Sequence, residues 1–299
     1  MWDARKFVTM VFSAIEGGYM PTVELNGVDL YYEKSGRGER LVLTHGSWTD
    51  HTGWAPSLHA LAERFEVVTW DRRGHSRSQV GDHPGSRDED AADLAALIEH
   101  LGGAPVHVVG NSYGSVVVLT LVAGRPELVA SAAVHEPPLV NLLEGTTDPA
   151  IAEALAGVDR GLSAVLALIE TGAYQAAAEY FVDQVAIGPG SWVKLPESFR
   201  AVLVANAPTF LDERRDPTSG SVDAAALART SVPLMFTYGT DGPQWYRAII
   251  DELAGLVPAA RVEVITGAGH IPHATDPDRW VATLLAFHET IASRLEVAR

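Results

Sequence analysis

Val106-His107-Val108-Val109-Gly110-Asn111-Ser112-Tyr113-Gly114 decides the fold of this chain. The valine-rich run reads as a buried strand. It leads straight into Gly110-x-Ser112-x-Gly114, and a second apolar run, Ser115 to Leu121, follows at helical length. Strand, sharp turn and helix together read as a nucleophile elbow, which puts Ser112 at the carboxyl edge of a sheet with its hydroxyl exposed. Small residues flank the serine because its backbone is strained and strand and helix approach closely there. The same pentapeptide also occurs as a glycine turn with a capping serine, so the rest of the chain has to decide between the two.

Working upstream, Thr22 to Leu30 and Tyr31 to Lys34 read as two strands around the Asn26-Gly27 turn. Arg40 to Thr44 is a third strand and ends at His45-Gly46-Ser47-Trp48. Gly53 to Phe65 is helical by period, with Trp54, Leu58, Leu61 and Phe65 on one face. A strand over Glu66 to Trp70 precedes the loop Asp71 to Ser78. Ser86-Arg87-Asp88-Glu89 is a capping box that opens a helix through Leu101. Downstream of the elbow helix, Val129 to His135 is a strand ending at Glu136-Pro137-Pro138. Strands and helices alternating at this spacing imply parallel βαβ units.

From Leu139 to about Ala228 the pattern changes to alanine- and leucine-rich helices, clearest at Ile151 to Leu168, Ala173 to Val185 and Pro196 to Ala205. Alternation then resumes with a strand over Val232 to Tyr238, a helix from Gln244 to Leu256 and a strand over Arg261 to Ile265. A last helix opens at Asp276-Pro277. The expected division is a leader over residues 1–20, an α/β core over 21–138 and 229–299, and a helical cap over 139–228. In the leader, Arg5-Lys6 precede the apolar run Phe7 to Ile15, which has no small-residue cleavage site after it and is too short to span a bilayer. An amphipathic or disordered leader, with Met10 or Met20 as alternative starts, is therefore expected, and the cytoplasm is the expected location.

The 299 residues are 47% hydrophobic, enough for a large buried sheet. The formal charge is −16, from 38 acidic against 22 basic residues, which argues against nucleic acid or an anionic membrane as partner. With no cysteine, there is no disulfide, thiol nucleophile or zinc-thiolate site. His45 to His51 lacks metal-hydrolase spacing, and no P-loop or dinucleotide fingerprint appears. Neither a metal nor a cofactor is expected. The expected partner is a small-molecule substrate, on a monomer or homodimer.

A serine hydroxyl is a weak nucleophile at neutral pH and needs a base, a group orienting that base, and donors for the oxyanion. His270, in Gly267-Ala268-Gly269-His270, follows the last strand through a glycine-rich loop and is the chosen base. His273 competes and fits better as a lining residue. The oxyanion donors are the N–H groups of Tyr113 and Ser47, with Gly46 letting the backbone approach. Trp48, Trp54, Tyr113, Trp192, Phe210 and Trp245 are candidates for an apolar pocket, and His45, Gly46 and His273 for its polar edge.

His45-Gly46-Ser47-Trp48, Asp71-Arg72-Arg73-Gly74-His75-Ser76-Arg77-Ser78, Gly110-Asn111-Ser112-Tyr113-Gly114 and Gly267-Ala268-Gly269-His270 stand in the order and spacing of the α/β-hydrolase superfamily, which the chain resembles from about Pro21 onward. The resemblance implies a mostly parallel, doubly wound α/β sheet with an all-helical cap over the site. Val185 to Trp192 and Ala205 to Asp212 look like cap segments of one lineage of these hydrolases. Two carboxylates compete for the triad. Most members of the superfamily carry the acid after the penultimate strand in Gly-x-x-Asp; here Gly239-Thr240-Asp241-Gly242 puts glycine at that position and Asp241 one residue early. Glu136 follows the strand after the elbow helix, where haloalkane dehalogenases, among others, place the acid. Glu136 is preferred and Asp241 kept as the alternative. Serine at the elbow implies ester, lactone, thioester or amide cleavage through an acyl-enzyme. The rival readings are a carbon–carbon hydrolase, acyltransferase or perhydrolase on the same triad, or a non-catalytic ligand-binding protein.

Overall fold

The structure, a computed structural model, describes residues 22–297. The leader expected over residues 1–20 lies outside the described residues.

Eight strands form one sheet in the order β1-β2-β4-β3-β5-β6-β7-β8. They are β1 (Thr22–Leu25), β2 (Val28–Gly36), β3 (Glu39–Thr44), β4 (Phe65–Trp70), β5 (Val106–Asn111), β6 (Val129–His135), β7 (Leu234–Gly239) and β8 (Arg261–Ile265). β2 runs antiparallel to β1 and β4, and every other pairing is parallel. The Asn26-Gly27 turn ends β1 at Leu25 and starts β2 at Val28, ahead of the expected division at Leu30–Tyr31, because both turn residues take positive φ.

Helices cover both faces. On one lie α2 (Arg87–Leu101), α3 (Tyr113–Gly124) and α9 (Gln244–Leu256), packed over Val28, Val42, Val108, Val134 and Phe236. On the other lie α1 (Ala55–Ala62) and the long C-terminal α11 (Pro277–Val297), packed through Leu61, Trp280, Leu284 and Phe287 onto Leu43, Val67 and Val109. A short helix, α10 (Pro272–Thr275), precedes α11. β5 is buried at all six residues, as a central parallel strand must be. Ser86 caps α2 by accepting from Glu89 N–H at 3.3 Å. Phe65 is a correction: the helical period ends at Ala62, and Phe65 opens β4 after a turn. Its i+4 spacing from Leu61 mimics a helix face, yet it reaches the same core from a strand.

Between β6 and β7 every described element is helical: α4 (Pro149–Glu170), α5 (Tyr174–Tyr180), a π-helical turn at Phe181–Ala186, α6 (Glu197–Ala205), α7 (Thr209–Arg215) and α8 (Ala224–Ala228). This insertion has its own core of Val165, Ile169, Val182, Trp192, Leu203 and Phe210. Trp48, projecting from the loop after β3, plugs into that core, with its ring 4.9 Å from Phe181 and 5.1 Å from Phe210. Asn206 adds polar stitching by donating to Thr49 O at 3.1 Å and accepting from Ser76 N–H at 2.8 Å. No helix among the described residues is long and apolar enough to cross a membrane.

Candidate active site

The carboxyl ends of the parallel strands converge on Ser112. It sits between β5 and α3 at φ +54° and ψ −126°, a strained conformation for a residue bearing a Cβ. Two close approaches force the flanking glycines. A Cβ on Gly110 would lie 2.5 Å from Gly114 O, and one on Gly114 would lie 2.3 Å from Thr44 O. The Ser112 N–H donates to His135 O at 2.9 Å, tying the turn to the end of β6. Tyr113 is the first residue of α3, so its N–H has no partner inside the helix and lies at the positive end of the helix dipole. Gly46, after β3, packs against the serine; a Cβ there would lie 3.0 Å from Ser112 Cβ.

His270 follows β8 and is buried. Its Nδ1 is 2.7 Å from Glu136 Oε2. An ionised carboxylate only accepts, so Nδ1 carries the proton and Nε2 is left with its lone pair. Asn111 Nδ2 donates to His270 O at 2.9 Å, locking the histidine loop to the strand that carries the serine. Glu136, fully buried, lies just past β6 at φ +48°. Its Oε1 accepts from Gly239 N–H at 2.9 Å. Burial pushes the Glu136 carboxyl up, but neighbouring His135, the His270 hydrogen bond and the Gly239 N–H outweigh that and hold it below its ordinary value. Asp241 is exposed and accepts from Thr240 Oγ1 at 3.1 Å. The structure thus brings Glu136, and not Asp241, to His270.

Ser112, Tyr113 and Ser47 line one cavity of about 290 Å³, with Phe181, Phe210, Trp245 and Tyr246. That is near the small end for a small-molecule site. α3 and α9 supply its floor, while α4, the π-helical turn and α7 close it from above. A second cavity of about 270 Å³ lies beside the Ile271–Thr275 segment and touches none of Ser112, Glu136 or His270.

Several expected lining residues stand elsewhere. Trp48 and Trp192 are buried in the core of the insertion, where Trp48 packs on Phe181 and Phe210 and the Arg200 guanidinium covers the Trp192 ring. His45 accepts from Arg72 N–H at Nε2 (3.0 Å) and lies 2.8 Å from Gly46 O at Nδ1, so it braces the loop after β3 rather than facing the cavity. His273 stacks on Trp54 at 4.3 Å in the core beneath α1 and α11, and burial lowers its pKa to about 3. Gly46 touches the serine without lining the cavity.

Among the lining residues that escaped the sequence, Tyr246 and Glu213 bear on the chemistry. Tyr246 stacks on the His270 ring at 4.8 Å, with its hydroxyl 3.4 Å from Nε2. Glu213, on α7, accepts from Ser47 Oγ at 2.5 Å and from the Arg72 guanidinium. Arg72 is itself fully buried, donates to Asp90 at 2.6 Å and lies over the Tyr113 ring at 4.8 Å. Burial raises the Asp90 carboxyl to about 6. Nothing in the local sequence separates Glu213 from its neighbours Asp212, Arg214 and Arg215, and Tyr246 reads as one more apolar helix position.

With this geometry in place, the class follows. A model of the Alpha/beta hydrolase family matches residues 41–284, and the chain belongs to that family. Among curated proteins it is similar to the uncharacterized hydrolase YraK of Bacillus subtilis (strain 168), 36% identical over 126 residues, covering 42% of this chain and 46% of that protein. It is also similar to the putative carbamate hydrolase RutD of Azorhizobium caulinodans, 34% identical over 112 residues, covering 38% of this chain and 42% of that protein. Each match spans under half the length of the relative. Among solved structures, an alpha/beta hydrolase from Sphaerobacter thermophilus DSM 20745 superposes with a TM-score of 0.72 at 26% identity, covering 90% of this chain and 100% of that one.

Proposed function

We propose that this protein is a serine hydrolase that cleaves an ester-type bond of a small, largely apolar molecule through an acyl-enzyme. The observation that carries the reading is the Glu136–His270 hydrogen bond of 2.7 Å, together with a serine held at φ +54° at the end of β5 whose strand is tied to His270 through Asn111. Ser112 Oγ attacks the carbonyl carbon while His270 Nε2 takes its proton. Glu136 fixes the Nδ1–H tautomer and stabilises the imidazolium. The Tyr113 and Ser47 amides receive the oxyanion, aided by the α3 dipole. His270 then protonates the leaving group, activates water and releases the acid product. Phe181, Phe210 and Trp245 favour an apolar acyl or alcohol portion. The partner is accordingly a small-molecule substrate.

The test is a panel of p-nitrophenyl esters, lactones, thioesters and aryl carbamates, the last included because of the name RutD carries. Turnover by the wild-type chain and at least about a thousandfold loss in Ser112→Ala is expected. Equal turnover by both proteins would refute the reading.

A further inference from the structure

At the amino end of the sheet, three side chains from distant parts of the chain converge. Glu39 opens β3, His107 is the second residue of β5, and His288 is on α11. His288 Nε2 lies 2.9 Å from Glu39 Oε2 and 3.2 Å from His107 Nε2, and the last two atoms are 3.8 Å apart. We propose that these three residues form a binding site for a zinc-type divalent cation that clamps α11 to the sheet.

Three arguments carry this. The first is geometric. Tetrahedral zinc with bonds of about 2.0–2.1 Å to nitrogen and oxygen sets its ligand atoms about 3.3 Å apart, and the three separations, 2.9, 3.2 and 3.8 Å, bracket that edge.

The second is a count of protons. His107 Nδ1 is 2.7 Å from Ser131 Oγ, which suits an Nδ1–H donor and leaves Nε2 as an acceptor. The Nε2 lone pair and the Glu39 carboxylate then both face a single His288 N–H. One proton serves two acceptors unevenly, whereas a cation at that point serves all three ligand atoms once His288 carries its proton on Nδ1.

The third is orientation. Metal-bound imidazoles are held by a hydrogen bond at the other ring nitrogen, and Ser131 supplies it to His107. Phe65 walls the site, edge-on to His288 at 4.8 Å and to His107 at 6.1 Å. The Glu39 side chain is 69% exposed, so solvent reaches the fourth position.

Two nitrogens and one oxygen fit zinc, cobalt or nickel better than the all-oxygen preference of magnesium or calcium. The site departs from the expectation of no metal, because residues 39, 107 and 288 carry no spacing motif. It is also remote from the proposed nucleophile: His107 starts β5 and Ser112 follows its end, about 16 Å along the strand. The cation is therefore structural and takes no part in the hydrolysis.

The experiment uses the full chain, stripped with EDTA and dialysed. Zn²⁺ is titrated by calorimetry, Co²⁺ by visible absorption, and melting is followed with and without Zn²⁺. The expected result is one ion per chain, a tetrahedral Co²⁺ spectrum, a higher melting temperature with Zn²⁺, and little response to Mg²⁺. His288→Gln and Glu39→Gln abolish or strongly weaken binding, and Ser131→Ala weakens it by about tenfold. The double variant His59→Asn/His83→Asn, which removes two exposed histidines, leaves binding unchanged. No binding to the wild-type chain, or binding that survives His288→Gln and Ser131→Ala unchanged, overturns the proposal. Glu39 is exposed and His288 partly so, and the melting curves show which variants fold even where His107 is not replaceable.

Discussion

Glu136 Oε1 packs tightly against position 242: a Cβ on Gly242 would lie 3.0 Å from it. The α/β-hydrolase pattern puts the triad acid at that position, after β7. In the proposed triad the acid instead stands one strand across, at the end of β6, with its carboxylate packed against position 242. Glycine at 242 and glutamate at 136 are one arrangement. Glu136→Ala should lower kcat by about three to four orders of magnitude. Glu136→Ala/Gly242→Asp should regain at least about tenfold of that loss, and Gly242→Asp alone should be impaired, because two carboxylates then crowd one imidazole. Steady-state rates on a p-nitrophenyl ester check all three.

The two acid candidates separate cleanly. Glu136→Gln keeps the shape but favours the wrong imidazole tautomer, so kcat should fall by about a thousandfold or more. Asp241, exposed and bonded to Thr240, should tolerate Asn with activity within about twofold of wild type. A reversed outcome would assign the acid to Asp241.

Arg72 links Asp90 on α2 to Glu213 on α7, and all three side chains are buried. Arg72→Met leaves two carboxylates in a dry environment and should destabilise the protein by about 3–5 kcal/mol. Arg72→Met/Asp90→Asn/Glu213→Gln should recover most of that, since the charges leave together. Urea unfolding at pH 7 measures both, and a loss under about 1 kcal/mol in Arg72→Met would count against a buried network.

Stability should fall as the pH drops from about 6.5 toward 5. Burial holds His135 down to about 4 and His273 to about 3, and it also lowers His45 and His75 well below their ordinary value, with Arg72 adding to the effect on both. Unfolded histidines titrate near 6.5. Below that pH the unfolded chain binds more protons than the folded one, so the stability present above about 6.5 is lost as pH falls, by about 1.4 kcal/mol per pH unit per proton. Asp90, raised by burial to about 6, opposes with one proton. His51 opposes likewise: burial pushes it down, but Asp71 more than compensates and its pKa is raised. Four protons outweigh two. Urea midpoints at pH 7 and pH 5 test the sign, and a higher midpoint at pH 5 would contradict it.

How much of this was written in the sequence depends on range. β5, the elbow and α3 follow from adjacent residues, since a buried parallel strand, two forced glycines and an apolar helix each leave a local signature. The Asp71–Ser78 loop is placed correctly, but that Arg72 and Arg73 make buried hydrogen bonds to Asp90 and Asp93 shows only in the fold. The lining was less legible. Tryptophans at 48 and 192 satisfy a pocket and a core equally well in one dimension, and only the packing of the insertion decides that they are core. Glu213 reaches Ser47 across 166 positions, and His288 reaches Glu39 across 249. Contacts of that range leave no spacing for a sequence to show.

Reaction with a fluorophosphonate, followed by intact-mass and peptide mass spectrometry, shows whether Ser112 is an activated nucleophile. One phosphonyl adduct per chain is expected on the peptide containing Ser112, absent in Ser112→Ala and at least about a hundredfold slower in His270→Ala. A folded wild-type protein that stays unlabelled, or one labelled equally in Ser112→Ala, would contradict it.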